Sequence, residues 1–215
     1  RKRLPVTRSV NLAKHPAGRK LKAGFARGFE YSDGWVDDAR LVVLNAMDAR
    51  EHGADIRTQT PVTGARREGD IWRIETAQGA FQARALVNAA GPGVTDVLES
   101  MGEQGAYGIR RVRGSHIVTR KLFDHDYAYF FQLPDGRIFF AIPYEQDFTL
   151  IGTTDADHTG SLTDVTASDE EIAYLCEGVN RYFAQPITPA DVVWTYAGVR
   201  ALIDDGSAKP EAATR

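Results

Sequence analysis

The sequence predicts a mixed α/β (α+β) fold, in which a helix–strand–meander segment precedes a mostly antiparallel sheet with helices. Residues 38–52 show a helical period, and residues 62–84 alternate as three strands joined by tight turns. Strand-like runs then recur after residue 105. With 43% hydrophobic and 26% charged residues among 215, the composition is that of a globular chain. We therefore expect two domains, residues 1–104 and residues 105–215.

The composition also excludes several classes of protein. A single cysteine, Cys176, rules out an internal disulfide and a multi-cysteine metal site, and it favours a reducing, cytoplasmic setting. We expect Cys176 to be a buried, inert thiol, and we predict no metal site. Because the chain begins without Met and has no obvious end, we expect it to be a piece of a longer protein.

The first 29 residues are strongly basic. They hold nine Lys and Arg and no Asp or Glu, although the whole chain has a net charge of −3. Such a segment could contact anionic lipid or an acidic partner, or it could be an exposed loop with acidic neighbours elsewhere in the fold. We expect no nucleic-acid partner, because few aromatic residues accompany these charges. We predict residues 1–30 to be loop.

Local patterns predict the elements of the first half. Asp37 or Asp38 can cap a helix that ends at Gly53 as a left-handed cap. A short strand over residues 54–60, the meander, an apolar strand over residues 85–90 and a helix over residues 94–101 follow. This order is typical of the second half of a dinucleotide-binding flavoprotein domain, in which a meander replaces a crossover helix.

The second half is predicted to be mainly strands. They cover residues 109–120, 127–133, 137–143, 148–153 and 192–200, with one helix capped by Ser168 and Glu171 in a capping box. The turn at residues 153–155 lacks a Walker lysine, which favours a polar strand end over a phosphate loop.

Three places carry candidate chemistry. The small residues Asn88, Ala89, Ala90 and Gly91 end the apolar strand, where a backbone can approach a flat ligand or simply pack tightly. His116 follows Gly114 on one strand face and is either a proton acceptor or a core histidine. Arg200 follows Gly198 and either binds phosphate or carboxylate, or pairs with Asp204 or Asp205.

Five segments, taken in order, resemble the central part of the bacterial FAD-dependent, respiratory glycerol-3-phosphate dehydrogenases. They are residues 28–41, 86–92, 114–118, 151–155 and 193–200. The resemblance implies a partial glutathione-reductase-type FAD domain followed by an antiparallel substrate-binding sheet. It also implies oxidation of sn-glycerol 3-phosphate, hydride transfer to FAD, electron transfer to a quinone, and a cytoplasmic location peripheral to the inner face of the cell membrane.

By position, the resemblance assigns a role to each candidate. His116 corresponds to a candidate catalytic base, and Arg200 to an arginine that binds substrate. Val62 corresponds to a meander residue near the adenine half of FAD, and the segment from Asn88 to Gly91 to the strand end lining the cofactor. The sequence departs from the family pattern at Gly93, Ala197 and Ala201.

The chain has no G-x-G-x-x-G motif, and the resemblance spans only about two-fifths of such an enzyme. We therefore expect the isolated chain to be inactive and to bind FAD weakly or not at all. We also expect homo-dimerisation or partial disorder in residues 1–30, with residues 105–200 better ordered. Two alternatives stay open: a non-catalytic anion- or partner-binding fragment, and an amino-acid-oxidase-like flavoprotein with a carboxylate substrate.

Overall fold

The computed structural model describes residues 4–105 and 108–204. Contacts divide these residues into two compact units. One unit holds residues 4–8, 30–89 and 96–104, and the other holds residues 9–29, 90–95, 105 and 108–204. Residues 9–29 and 90–95 group with the second unit, although both ranges precede the predicted boundary after residue 104. That boundary stays a prediction for the complete protein.

The described helices and strands fall in the following chain order. They are β1 (Arg8–Asn11), β2 (Arg27–Glu30), α1 (Asp38–Glu51), β3 (Val62–Glu68), β4 (Ile71–Thr76), β5 (Gly79–Ala83), α2 (Val94–Ser100), β6 (Ile109–Arg120), β7 (Tyr129–Gln132), β8 (Ile138–Tyr144), β9 (Phe148–Gly152), β10 (Ala156–Asp157), α3 (Asp169–Tyr182) and β11 (Val192–Ile203). This mixed α/β content with antiparallel sheets confirms the predicted fold class.

The first unit is built on the predicted meander and has a very small core. Strands β3, β4 and β5 pair antiparallel in that order, with Ala65 opposite Ile74 and Ile74 opposite Phe81. Among the described residues of this unit, Ala65 and Ile74 are the only hydrophobic residues that are buried. Most of its apolar surface is therefore exposed to water.

Helix α1 begins and ends as its sequence predicts. The Asp37 side chain accepts a hydrogen bond from the Arg40 backbone N–H at 3.1 Å, and Gly53 follows the helix with a φ of 94°. The helical period predicts an apolar side for α1, but this side is exposed. Its exposed residues are Leu41, Val43, Leu44 and Met47. Helix α1 therefore forms from local signals without a covering element in this structure.

Two predicted strands are absent from the described chain. Residues 54–60 and 85–90 are irregular, and Val87 is 84% exposed. Both predictions were wrong for a shared reason. A strand needs a neighbour for its backbone N–H and C=O groups, and no described strand lies beside either segment.

The prediction that residues 1–30 form only loop was also wrong. Strands β1 and β2 pair with each other. Leu21 forms an isolated antiparallel β-bridge with Phe183. The Tyr129 hydroxyl donates to the Ala17 backbone carbonyl at 2.5 Å. Ala17 is buried with the core of the second unit. Backbone pairing, which composition does not reveal, orders this segment.

The second unit is organised around β6, which has strands on both edges. Strand β11 pairs along one edge of β6 over almost its whole length. Strands β9 and β10 share the other edge, and β8 and β7 continue the sheet beyond β9. All of these pairings are antiparallel, and the bounds of β6 are those predicted from the sequence.

Helix α3 covers one face of this sheet. Ser168 and Glu171 form the predicted capping box, and Leu175 and Val179 are buried against Ile117 and Ile151. Because alternate residues of a strand point to opposite faces, the even-numbered residues of β6 project away from α3. The candidate chemistry lies on that opposite face.

Candidate functional site

His116 lies at the centre of the sheet between two neighbouring strands. Its Cα partner on β11 is Tyr196, and its Cα partner on β9 is Gly152. The rings of His116 and Tyr196 stack with centroids 4.7 Å apart and planes within 5°. A Cβ placed on Gly152 would come 2.1 Å from His116 Cδ2. The imidazole therefore lies against Tyr196 and fills the space beside Gly152.

Arg200 is held by the turn that follows β9. Its Nη1 donates to Asp155 Oδ1 at 2.8 Å, and its Nη2 donates to Thr153 Oγ1 and to the Thr154 carbonyl, both at 3.1 Å. The Arg200 side chain is 34% exposed and that of Asp155 is 14% exposed. The alternative ion pair with Asp204 is wrong, because the guanidinium pairs with Asp155; Asp205 lies outside the described residues.

Gly114 provides the space that Arg200 occupies. A Cβ on Gly114 would come 2.1 Å from Arg200 Nη2 and 2.7 Å from Thr153 Oγ1. The guanidinium thus lies directly over the backbone of β6. Since Gly114 and His116 are two residues apart on one strand, their Cα atoms are separated by about 7 Å. The imidazole and the guanidinium are neighbours on one face of the sheet.

The turn at residues 153–155 is anchored from the other face. Thr154 Oγ1 accepts a hydrogen bond from the Ser115 backbone N–H at 2.9 Å and donates to Glu171 Oε1 at 2.6 Å. Glu171 Oε2 accepts from the Ser168 backbone N–H at 3.0 Å and pairs with Arg113 Nη2 at 2.9 Å. The start of α3 therefore fixes the turn that holds Arg200.

Glu171 is buried and ionised within this network. Burial by itself raises the pKa of the carboxyl, but the hydrogen bonds from Thr154 and Ser168 and the charge of Arg113 outweigh it. The net effect lowers the pKa of Glu171 below its ordinary value of 4.5. A charged, fully bonded carboxylate therefore lies beneath the site.

Most of the residues matched to the cofactor are exposed, and only Val62 belongs to a described strand. Val62 begins β3 and is 46% exposed. Asn88 and Ala89 are in an irregular stretch, and Ala90 and Gly91 lead into the short 3-10 turn Gly91–Gly93. Gly91 has a φ of 56°, and a Cβ there would meet nothing within 4 Å.

The remaining titratable candidates have structural roles. Cys176 is buried in the core, and burial raises the pKa of its thiol. His125 stacks on Phe123, and its Nε2 lies 2.9 Å from the Tyr129 hydroxyl. Within residues 4–105 and 108–204, no group of three or more His, Cys, Asp and Glu side chains could hold a metal ion.

None of the helices in the described part of the chain combines the length and the apolar character that crossing a bilayer requires.

Comparison with known families identifies the fold. A family model described as FAD dependent oxidoreductase matches residues 3–211. The chain belongs to this family. The match spans nearly the whole sequence, including both units, β6 and the strand that carries Arg200.

Curated relatives are 43–47% identical to this chain over the part of each that it matches. A glycerol-3-phosphate dehydrogenase of Pseudomonas aeruginosa is 47% identical over all of the chain and 43% of its own length. A D-erythritol 1-phosphate dehydrogenase of Brucella abortus is 46% identical over all of the chain and 44% of its own length. The aerobic glycerol-3-phosphate dehydrogenase of Escherichia coli is 43% identical over 93% of the chain and 41% of its own length.

Two solved structures have the same fold as this chain. A glycerol-3-phosphate dehydrogenase from Bacillus halodurans, complexed with FAD, superposes with a TM-score of 0.72 at 25% identity, over 85% of the chain and 38% of its own. A glycine oxidase from Geobacillus kaustophilus gives a TM-score of 0.71 at 20% identity, over 94% of the chain and 53% of its own, and therefore bears on the fold alone. The chain spans less than half the length of the curated relatives it matches.

Sequence reasoning identified His116 and Arg200 but missed the residues that hold them. Tyr196 received no role from the sequence, although a cross-strand aromatic beside a histidine is a recognisable signal. Gly152, Thr153 and Asp155 were interpreted only as a polar strand end. Their contacts depend on the register between β6, β9 and β11, which no local pattern reveals.

Proposed function

We propose that the complete protein is an FAD-dependent dehydrogenase that oxidises the C2 hydroxyl of sn-glycerol 3-phosphate, yielding dihydroxyacetone phosphate. The observation that supports this most directly is the juxtaposition of His116 and the Arg200 guanidinium on one face of β6, each in space left by a glycine. Relatives named glycerol-3-phosphate dehydrogenase, at 43% and 47% identity, support the substrate class.

His116 is proposed to accept the C2 hydroxyl proton. An imidazole has a pKa near neutrality, so its neutral form is available to take a proton at physiological pH. Stacking on Tyr196 restricts the ring to one plane. A fixed ring removes the cost of orienting the base in each catalytic cycle.

Arg200 is proposed to bind the phosphate group. A guanidinium offers planar, charge-assisted donors that suit phosphate oxygens. Among the described residues, its three hydrogen bonds to the 153–155 turn use three of its five N–H donors, which leaves donors for a ligand. The phosphate contact is remote from C2, and its binding energy holds C2 beside His116.

FAD is the proposed cofactor, and the residues of this chain fit a supporting role toward it. Val62, Ala89, Ala90 and Gly91 are exposed, Asn88 is half-buried, and the backbone at Gly91 has open space where a side chain would be. When bound, FAD accepts the hydride that leaves C2. The isolated chain is expected to bind FAD weakly or not at all and to be inactive.

A four-carbon polyol phosphate is the second candidate substrate. The Brucella abortus relative named D-erythritol 1-phosphate dehydrogenase is as similar to this chain as the glycerol-3-phosphate dehydrogenases are. Both substrates combine hydroxyl groups with a phosphate, so His116 and Arg200 could serve either. A carboxylate substrate on Arg200 is the third candidate.

The complete protein is further proposed to pass electrons to a quinone at the inner face of the cell membrane. The basic segment supports this proposal through the exposed residues Lys14, Arg19, Lys20 and Lys22. Cosedimentation with vesicles containing anionic lipid would test it, and an absence of binding at low salt would contradict it.

Isothermal titration of the 215-residue chain tests the substrate assignment. We expect sn-glycerol 3-phosphate to bind and acetate and glycine to bind far more weakly, because a phosphate carries more charge and more acceptor oxygens. Arg200→Ala should abolish phosphate-ester binding, whereas Arg110→Ala, in a separate ion pair with Asp157, should preserve it. Preference for a carboxylate, or binding that survives Arg200→Ala, would contradict the proposal.

A parallel titration with FAD tests the expectation that this chain alone binds the cofactor weakly or not at all. Micromolar FAD binding to this chain would show the expectation of weak binding to be wrong. Activity of the complete protein with glycerol 3-phosphate and D-erythritol 1-phosphate, compared as kcat/KM, would decide between the two polyol phosphates.

A further inference from the structure

Asp155 is the acidic side chain that pairs with Arg200, the residue proposed to bind the substrate phosphate. Its Oδ1 accepts from Arg200 Nη1 at 2.8 Å, and only 14% of its side chain is exposed. A carboxylate at a phosphate site repels the ligand, so a role in direct phosphate binding does not explain it. A role in holding the guanidinium does.

The arrangement around Arg200 differs from that of an ordinary surface ion pair. The guanidinium is bonded on two of its nitrogens by three successive residues, and it lies over Gly114 where no Cβ could fit. Exposed ion pairs lose much of their energy to side-chain entropy and to screening. Here three hydrogen bonds restrict the long Arg200 side chain, so less entropy is lost when a ligand binds.

The turn that holds Arg200 is itself rigidly attached. Strand β9 precedes it and strand β10 follows it, and both pair with β6. Thr154 ties its centre to Ser115 and to the buried Glu171. Asp155 therefore projects from a fixed point, which is the property a positioning residue needs.

We propose that Asp155 is the positioning residue of Arg200 and holds its guanidinium over Gly114 in the orientation that receives the substrate phosphate. This inference rests on the proposed function for its ligand. The contact requires an acceptor oxygen at position 155. It does not require a negative charge there, because the Thr153 hydroxyl and the Thr154 carbonyl hold the same guanidinium as neutral acceptors.

The decisive comparison is between Asp155→Ala and Asp155→Asn in the 215-residue chain. Asp155→Ala removes the acceptor and should weaken sn-glycerol 3-phosphate binding about tenfold in isothermal titration, the size expected for one charge-assisted hydrogen bond. Asp155→Asn retains an acceptor oxygen and should bind within about threefold of the original chain, or more tightly, since the competing charge is gone.

The matched control is Asp157→Ala. It removes another Asp–Arg pair, two residues further along and with Arg110 as the partner at 2.6 Å. We expect binding to be unchanged in this variant. Full affinity in Asp155→Ala, or equal loss in Asp155→Ala and Asp155→Asn with the fold intact, would overturn the proposal.

A second measurement tests the positioning role without a ligand. If glycerol 3-phosphate does not bind the original chain, the substrate assignment fails, but this measurement still decides the role of Asp155. The Nε–Hε NMR signal of Arg200, assigned with Arg200→Lys, reports whether the guanidinium is held. It should be sharp and slow to exchange in the original chain and in Asp155→Asn, and broadened by exchange in Asp155→Ala. Identical signals in all three proteins would overturn the positioning role.

Discussion

Gly152 lies directly opposite His116 across β6 and β9, and the imidazole occupies the space that a side chain at position 152 would fill. The approach is close, since a Cβ on Gly152 would lie 2.1 Å from His116 Cδ2 and 2.8 Å from Nε2. Substitution at position 152 therefore acts on the proposed base itself.

Gly152→Ala is expected to displace the His116 ring. Forcing a methyl group into this contact should cost about 1–3 kcal/mol of unfolding free energy. Urea unfolding measures the cost, and the NMR signals of the imidazole measure the displacement. Gly64→Ala is the control, because that strand glycine has open space around its Cβ position. Unchanged His116 signals in Gly152→Ala would contradict the prediction.

Gly114→Ala is expected to displace Arg200 in the same way. The added methyl would meet Nη2 at 2.1 Å, so phosphate-ester binding should fall by about tenfold or more, as for loss of a charge-assisted bond. The control is its cross-strand partner Gly198, where a Cβ meets nothing within 4 Å. Gly198→Ala should retain binding and full stability. Equal losses of binding in Gly114→Ala and Gly198→Ala would contradict the prediction that Arg200 needs the space over Gly114.

Tyr196→Leu is expected to release the His116 ring from its stacking partner. Aromatic stacking contributes about 0.5–1.5 kcal/mol beyond burial, so the loss of stability should be in that range. The His116 ring protons should also lose their ring-current shift in NMR spectra. Tyr196→Phe keeps the ring and should preserve the ring-current shift of the His116 protons. A Phe variant that behaves like the Leu variant would refute stacking as the cause.

Glu171→Gln is expected to reduce stability most at neutral pH. The folded-state pKa of Glu171 lies below its ordinary 4.5, so the ionised carboxylate stabilises the fold fully above that value. The contribution is lost as the pH falls through the lower, folded-state pKa. The difference in unfolding free energy between the original chain and Glu171→Gln should therefore shrink as the pH falls below about 4.5.

Glu177→Gln, on the exposed side of the same helix, serves as the control for that measurement. It should cause no comparable change in stability across the same pH range. A pH-independent difference for Glu171→Gln would indicate that its charge does not stabilise the fold.

Polar substitution on α1 is expected to leave the stability of this chain nearly unchanged. Leu44 is 49% exposed although the helix pattern predicts an apolar face there. Leu44→Lys should alter the unfolding free energy by less than about 0.5 kcal/mol, whereas Ile74→Ala, in the small core of the same unit, should cost about 2–4 kcal/mol. Thermal unfolding followed by circular dichroism compares them. A large loss in Leu44→Lys would mean that the α1 face is covered in solution.

The sequence alone determined the elements whose signals are local. The cap at Asp37, the capping box at Ser168 and Glu171, and the alternation of β6 each depend on residues within a few positions of one another. Their structures therefore follow from nearby backbone hydrogen bonds and side-chain period. The ordered set of motifs also predicted the family, which the match over residues 3–211 confirms.

Tertiary structure decided which of these elements acquired a partner. The predicted strands over residues 54–60 and 85–90 remain irregular because a strand is stable only beside another strand, whereas residues 8–11 and 27–30 pair despite a composition typical of loop. Likewise, the pairing of Arg200 with Asp155 rather than Asp204 follows from the register of β11 and β9 on β6. Register depends on contacts far apart in sequence, so only the folded chain determines it.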